Sequence, residues 1–377
     1  MKESILIKNF GPIKEIEIGN IRPFTVLIGE SGSGKSMVMK VLVLFRWLYK
    51  MLNIRSYLKY ANITQTPSKF DFQSYLRSVG LSDYIKDDSE IIYQKGSTTL
   101  HYGDALKLPS TVTKDELSLE KMSFISDKRN LIPDILAHNK TNMSFYLNET
   151  YQDFRMADDF IKELPVDYLN VKYTSKKTAS GKKEYWVTGT DTDYEVKLED
   201  ASSGMQTIIP LSLIVEYFSK HYDFNKRFNT IVFDYLSQTD SLKDFRAEQN
   251  IGDIRHRNIH LHIEEPELSL YPESQRSLIN SIVERCFIHE HDGYNMSVMM
   301  ATHSPYIVNH LNLLIMAGKK NAPENGASLL FENVSVFEII DGYLNDLKQE
   351  EKFIIDSRSL SEPISTIYER YNELSRG

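Results

Sequence analysis

Gly29-Glu30-Ser31-Gly32-Ser33-Gly34-Lys35-Ser36 decides how the rest of the chain is read. It satisfies G-x-x-x-x-G-K-[ST], the phosphate-cradling P-loop. The apolar run Phe24-Thr25-Val26-Leu27-Ile28 precedes it, and Met37-Val38-Met39-Lys40-Val41-Leu42 follows. The motif therefore has strand, glycine loop and helix in order. The glycines allow a tight turn that points N–H groups inward. The helix N-terminus adds partial positive charge where phosphates would sit. In such a loop Lys35 would reach the β- and γ-phosphates, and Ser36 would hold Mg2+ through its hydroxyl. A Gly/Ser turn that binds nothing is the bland alternative, and the flanking strand and helix weigh against it.

The chain has 377 residues, enough for one large domain or two intimate ones. Its 44 Lys and Arg stand against 52 Asp and Glu, a net charge of −8. The whole surface is thus not built for nucleic acid, although a local basic patch is compatible with that balance. With a single cysteine, Cys286, neither an intrachain disulfide nor a Cys-based zinc site can form. That suits a reducing cytoplasm. No apolar run reaches about 18 residues, so no membrane span is expected. The opening Met-Lys-Glu-Ser has no signal-peptide core. The expected location is cytoplasmic.

Outward from the P-loop, residues 4–10 read as a strand and Gly11-Pro12 as a turn. Ile13, Ile16 and Ile18 then alternate with charged residues as in a second strand. An antiparallel hairpin thus precedes the P-loop strand. The span 53–90 reads as amphipathic helix, and 89–94 with 97–102 as a β-hairpin around Lys95-Gly96. Together 53–120 is expected to be a helical and hairpin insertion. A strand at 122–126 leads into Asp127-Lys128-Arg129. The pattern is helical over 134–164 and β-like over 166–198. A hairpin there gathers Lys172, Lys176, Lys177, Lys182 and Lys183, which are either solvated or a nucleic-acid contact. Ala201-Ser202-Ser203-Gly204-Met205-Gln206 stands at the N-terminus of an apolar helix. The polar stretch 223–258, with Arg246, Arg255, His256 and Arg257, reads as an inserted lid or loop. Ile259-His260-Leu261-His262-Ile263-Glu264-Glu265-Pro266-Glu267 is a buried strand delivering carboxylates at its C-terminal end, where α/β sheets bind ligands. A helix from Glu273 to about Ile288 follows, with Cys286 inside it. A strand at 297–301 then ends in Thr302-His303-Ser304-Pro305. A late strand (334–340) and a short amphipathic helix (361–374) complete the reading.

These motifs, in this order, together with the opening Asn9-Phe10-Gly11-Pro12, resemble the ABC-type AAA-family ATPases of the RecF, SMC and OLD group. Within that group the chain is similar to PtuA-like or OLD-like antiphage-defence ATPases. The resemblance covers about 1–50, 120–135 and 195–340. It implies an α/β fold: an ABC-type P-loop NTPase with an N-terminal antiparallel β subdomain and helical insertions, in a single domain over 1–377. It implies ATP and Mg2+ as ligands, with Gly29, Glu30, Ser31, Gly32, Ser33, Gly34, Lys35 and Ser36 around the phosphates. The turn around Phe10-Gly11-Pro12 would help to frame the adenine. Ser203, Gly204 and Gln206 correspond to the ABC signature, which closes on the γ-phosphate held by a second subunit. Glu264 would hold Mg2+, although Asp is usual at that position, and Glu265 would polarise the attacking water. Leu268-Ser269-Leu270-Tyr271-Pro272 resembles the D-loop at the dimer dyad. His303 resembles the switch residue that contacts the γ-phosphate. Arg129 is either a phosphate or interface contact or a solvated Arg at a strand end.

The resemblance implies a homodimer, or a higher even oligomer, that closes around ATP and opens on hydrolysis. No sustained heptads separate P-loop and signature, so long coiled-coil arms are not expected. The roughly 75 residues after the switch are too few for the Toprim nuclease domain of OLD proteins. The expected output is therefore control of a separately encoded effector, a nuclease or toxin, in bacterial antiphage defence. The alternatives are a RecF-like DNA-repair ATPase acting as an ATP-gated DNA clamp, with DNA or RNA contact, and an ATP-gated scaffold with negligible turnover. No membrane partner is expected.

Overall fold

The computed structural model describes residues 1–61, 72–138, 142–226, 230, 254, 256–289, 291 and 293–376. Alternation sets its first hairpin. In β1 (Glu3–Phe10) and β2 (Ile13–Ile18), Ile5 stands opposite Ile18 and Phe10 opposite Ile13, so one face of the pair is apolar. β3 (Phe24–Ile28) is buried at every residue, as expected of a strand covered on both faces. The P-loop follows, then α1 (Lys35–Tyr60), whose buried residues run nearly all round the helix. The chain continues through α2 (Phe72–Ser78), β4 (Ile85–Lys95), β5 (Thr98–Tyr102), β6 (Leu106–Lys107) and β7 (Ser118–Ile125). α3 (Ile132–His138) and α4 (Phe145–Phe160) lead to β8 (Glu163–Val166), β9 (Val171–Lys177), β10 (Lys183–Gly189) and β11 (Glu195–Lys197). Then come α5 (Ser203–Lys220), β12 (His256–Glu264), α6 (Pro272–Val283), β13 (Asn295–Thr302) and α7 (Pro305–Lys320). β14 (Val334–Ile340), β15 (Tyr343–Asp346), β16 (Lys348–Gln349), β17 (Ile354–Ile355) and α8 (Arg358–Arg376) end the described chain.

Eleven strands form one sheet in the order β6-β5-β4-β1-β2-β15-β14-β3-β13-β12-β7. From β14 to β7 all neighbours are parallel, with the P-loop strand β3 between β14 and β13. β1, β2, β4, β5 and β6 form the antiparallel N-terminal half. The halves meet at β15 and β2 through the single pair Tyr343↔Glu15. The fold is therefore α/β, a parallel sheet around the P-loop strand continuous with an N-terminal antiparallel sheet. β8 to β11 make a separate four-stranded sheet.

The period of two along each parallel strand divides the core. Val26, Ile28, Ile259, Leu261, Ile263, Val298 and Met300 pack with Leu278, Ile282, Ile307 and Leu311 of α6 and α7. Leu27, Met299, Ala301, Phe337 and Ile339 pack with Met37 to Leu52 on α1. On β12 the even positions His260, His262 and Glu264 therefore face α1. A one-residue register slip would exchange these groups with three buried aliphatic side chains, each stabilised by about 1.5–3 kcal/mol in its own place.

Two expectations are corrected here. Residues 85–90 are strand and not helix. β1 recruits them as its antiparallel neighbour, with Phe10 opposite Ile85 and Lys8 opposite Glu90. Residues 256–258, read as part of the lid, already belong to β12. Most of the lid, including Arg246 and Arg255, lies outside the described residues, as do 62–71 of the first insertion. Cys286 sits in a π-helical turn, Glu284–Ile288, after α6, and burial pushes its thiol up to about 12.

Candidate active site

The phosphate-binding loop is shaped by backbone that only glycine accepts. Gly29 has φ 152°, and a Cβ there would lie 2.6 Å from the Ile339 carbonyl oxygen. Gly34 caps α1 with φ 108°. The Asn9–Pro12 turn is brought beside it, since Pro12 and Ile13 lie within 3.4 Å of where a Gly34 Cβ would be. Glu30, Ser31 and Gly32 are exposed and Lys35 is buried. Lys35 Nζ donates to the carbonyls of Gly29 (2.9 Å) and Glu30 (2.7 Å), with Ser33 Oγ at 3.5 Å. Burial lowers its pKa, opposed by the charges of Glu265 and Glu267. The two carboxylates therefore share one electrostatic site with the lysine.

β12 ends at the same place. Glu264 lies on the α1 face, where the Ser36 side chain and the Asp127 main chain favour its charged form. Lys40, one turn beyond Ser36, places Nζ 3.4 Å from Glu264 Oε1 and over the rings of Tyr146 and Phe124. Burial raises the Glu264 pKa, and Lys40 opposes that. The chain then turns sharply. Glu265 adopts a left-handed φ of 43°, with its N–H bonded to the Ala301 carbonyl at 2.8 Å. Its Oε1 lies 3.8 Å from His303 Nε2. Glu267 Oε1 accepts the His303 main-chain N–H at 2.6 Å, so the turn after β12 is tied to the loop after β13. Ser304 caps α7 and donates to Gln275 Oε1 at 2.6 Å, which fixes that loop from the other side.

Arg129 is not the solvated strand-end Arg that one reading allowed. The side chain is fully buried, on the 3-10 turn Asp127–Leu131 that follows β7. Nη1 donates to the Glu264 carbonyl (2.6 Å) and the Ser126 carbonyl (3.1 Å), and Nη2 to the Glu265 carbonyl (2.6 Å). Burial pushes its pKa down to about 10, against the pull of Glu267, Asp127, Glu265 and Glu264.

Beneath the site, β12 and α1 are locked by a buried polar network. Arg46 grips Glu3 with two 2.8 Å bonds and donates to His262 Nε2 at 2.8 Å. A guanidinium can only donate, so His262 accepts there and carries its proton on Nδ1, toward the Ser123 carbonyl. His260 Nε2 donates to Glu120 Oε2 at 2.7 Å, and Lys95 pairs with Glu120 Oε1 at 2.7 Å. Burial, aided by the Arg46 charge, holds both histidines neutral and lowers His260 to about 4.

The signature segment stands apart from this cluster. Ser202 caps α5, accepting from the Met205 N–H, and Ser203 is exposed. Gln206 Nε2 donates to the Glu199 carbonyl at 2.8 Å. A Cβ on Gly204 would meet the Ser269 carbonyl oxygen at 3.1 Å, so the first turn of α5 and the loop after β12 approach closely, and a side chain there would press that loop back by a few tenths of an ångström. Ser269 has φ 60°, and Tyr271 two residues on is 79% exposed. Gln206 bonds to Glu199, the Ser203 carbonyl accepts from Thr207 Oγ1, Met205 packs on the core and Gly204 approaches Ser269 and Leu270; none of these contacts reaches 29–36.

The structure thus brings Gly29–Ser36, Glu264, Glu265 and His303 together at the C-terminal ends of β3, β12 and β13. It leaves Ser203, Gly204 and Gln206 on the neighbouring surface. Sequence reading missed Lys40, Glu267 and the true place of Arg129. Lys40 had a signal, because i+4 from Ser36 on a helix is the same face. Glu267 had one in the repeated Glu of Glu-Glu-Pro-Glu.

The donor set fits a small hard cation. Among the described residues no group of three or more His, Cys, Asp or Glu side chains is arranged to hold a metal. One hydroxyl and one carboxylate oxygen beside a phosphate cradle is the protein share that Mg2+ takes when phosphates complete its shell.

A family model described as an AAA ATPase domain matches residues 47–308. No curated protein matches the chain. Among solved structures, the chain is similar to an SMC head bound to the C-winged helix domain of ScpA. That match has 12% identity and TM-score 0.37, covering 93% of this chain and 98% of that one. The SMC head domain from Thermotoga maritima is 10% identical with TM-score 0.36, covering 93% and 100%. The recombination mediator protein RecF of the RecFOR pathway is 10% identical with TM-score 0.35, covering 92% and 98%. These likenesses are too distant to bear on partners or substrates.

Proposed function

The chain belongs to the AAA ATPase domain family, and from that premise we propose that two copies sandwich two ATP molecules head to tail and use hydrolysis to control a separately encoded effector in antiphage defence. The observation that carries the dimer is the split of the site. P-loop, carboxylates and His303 converge, while Ser203 and Gly204 lie on an exposed surface beside Ser269 and Tyr271. A second copy is what would complete each site.

The chemistry is phosphoryl transfer to water, which needs positioning and charge neutralisation more than covalent help. Lys35 exchanges two carbonyl contacts for phosphate oxygens, and the main-chain N–H groups of the loop orient the β-phosphate. Ser36 and Glu264 are the oxygens that would hold Mg2+, which when bound neutralises charge on the phosphates. Glu265 orients the attacking water and polarises it, and His303 contacts the γ-phosphate. Ser203 of the opposing copy donates to that same phosphate, where the N-terminus of α5 adds partial positive charge.

The defence role rests on motif resemblance to PtuA-like and OLD-like ATPases. A RecF-like clamp would need basic surface. At the β9–β10 hairpin, Lys172 pairs with Glu163, Lys176 with Glu195, and Lys183 with Asp158 and Asp159. Native mass spectrometry of Glu265→Gln protein from its own host, with and without Mg-ATP, tests the proposal. The expected species is a dimer with two nucleotides and a bound effector, whose locus protects against phage only with Glu265 intact. A monomer indifferent to ATP contradicts the dimer. DNA-stimulated turnover with steep salt dependence would favour the clamp.

A further inference from the structure

We propose that Arg129 is a positioning residue for Glu265: its guanidinium fixes the backbone on both sides of Glu265 and so aims the carboxylate that orients water. This rests on the reading of Glu265 given above. β7 pairs in parallel with β12, with Ile125 beside Ile263, which carries the turn after β7 to the end of the carboxylate strand. From that turn one planar fork grips two successive carbonyls, those of Glu264 and Glu265, each at 2.6 Å. These are the carbonyls on either side of the Glu265 Cα, so the grip holds that residue's backbone dihedrals. What is held is a left-handed conformation, φ 43°, which a residue with a Cβ seldom keeps unaided. Released, the backbone would relax to an ordinary region. The Glu265 carboxylate would then swing away from His303, now 3.8 Å distant.

The choice of residue type supports this. Four carboxyl-bearing residues, Asp127, Glu264, Glu265 and Glu267, act electrostatically on Arg129. Yet its hydrogen bonds go to main-chain carbonyls. Its Nε is buried with no partner among the described residues, so the side chain is not optimised for its own satisfaction. Lysine has no rigid fork and would hold one carbonyl at most.

The test is a double-mutant cycle. Arg129→Met and Arg129→Lys are made in the native chain and in Glu265→Gln, with nucleotide Kd, single-turnover rate and Tm measured for each. The expected result for Arg129→Met is a loss of about 10²-fold in rate, the scale of a misplacement near 1 Å. Nucleotide Kd should stay within about twofold, because no uniform binding is removed. In the Glu265→Gln background the same change should cost nothing further. Should Arg129→Met fail to fold, Arg129→Lys keeps the buried charge and must show the same pattern at reduced size. A native rate in the Arg129 variants, or an equal fold-loss in both backgrounds, overturns the proposal. Native turnover by Glu265→Gln alone removes the role of Glu265 and this proposal with it, a result distinct from a silent Arg129.

Discussion

Lys40 holds the oxygen that a metal would need. Its ammonium sits 3.4 Å from Glu264 Oε1, on the helix turn after Ser36. A buried carboxylate with a cation beside it has less attraction left for a second cation. Lys40→Met should therefore lower the Mg2+ concentration that supports ATP binding by several-fold. Calorimetric titration with Mg2+ at fixed ATP checks this, and an unchanged midpoint would contradict it. His260 gives a second prediction at this scale. Its pKa falls from 6.5 in a free side chain to about 4 in the fold, because burial and Arg46 disfavour the charged ring. Between those values the unfolded chain binds the proton and the native chain does not. Stability from this group is thus full above about pH 6.5, declines as pH falls, and stops changing below about 4. The slope is roughly 1 kcal/mol per pH unit for one such histidine. His310, also lowered to about 4 by burial, adds to the same window. Urea midpoints should fall between pH 6.5 and 5, where ordinary carboxylates are still ionised. A flat profile there would show that these rings are free to charge.

At the scale of elements, α1 and β12 run side by side with three polar rungs between or beside them. Ser36 and Lys40 meet Glu264, Arg46 meets His262, and Asn53 Oδ1 accepts the Ser118 N–H of the adjoining β7. The middle rung is anchored by Glu3 on β1, so hydrogen bonds tie the P-loop helix to both the carboxylate strand and the antiparallel half. Arg46→Met leaves the Glu3 carboxylate buried without its ion-pair partner, bonded only to the Tyr93 hydroxyl, and should cost about 3–5 kcal/mol. Adding Glu3→Gln should restore most of that loss, because the uncompensated charge is gone. Denaturant unfolding of the three proteins decides it, and simple additivity would mean that the pair is not coupled. The same elements show what was legible in the sequence. The P-loop, Glu264-Glu265 and His303 were readable because each function is written in a few adjacent residues with a strand before them. Arg129 was not, because two of its three acceptors lie 135 and 136 residues away and its burial depends on β7 lying beside β12. Residues 85–90 were misread for a related reason. Lys86-Asp87-Asp88 has no strand pattern of its own, and becomes strand only because β1 offers an edge. Lys176 and Lys183 read as solvated or as nucleic-acid contacts until Glu195 of β11 and Asp158 and Asp159 of α4 came beside them.

At the scale of the whole molecule, the site is divided between two surfaces of one chain. The exposed Tyr271 stands on the loop next to Gly204. If that surface closes on a second copy, Tyr271→Ala should weaken ATP-dependent dimerisation by about 2 kcal/mol or more, as for buried aromatic anchors. Nucleotide affinity of the monomer should be untouched. Sedimentation of the Glu265→Gln background with and without the change would show it. The most direct test is complementation between two inactive chains. Lys35→Ala spoils the P-loop and keeps the signature, while Ser203→Arg spoils the signature and keeps the P-loop. Each alone should be silent. Mixed in equal amounts, about half the dimers of a two-fold assembly are mixed and carry one intact site, so about a quarter of native turnover should return. A mixture as silent as its components, or turnover by Ser203→Arg alone, would contradict a site shared between two chains.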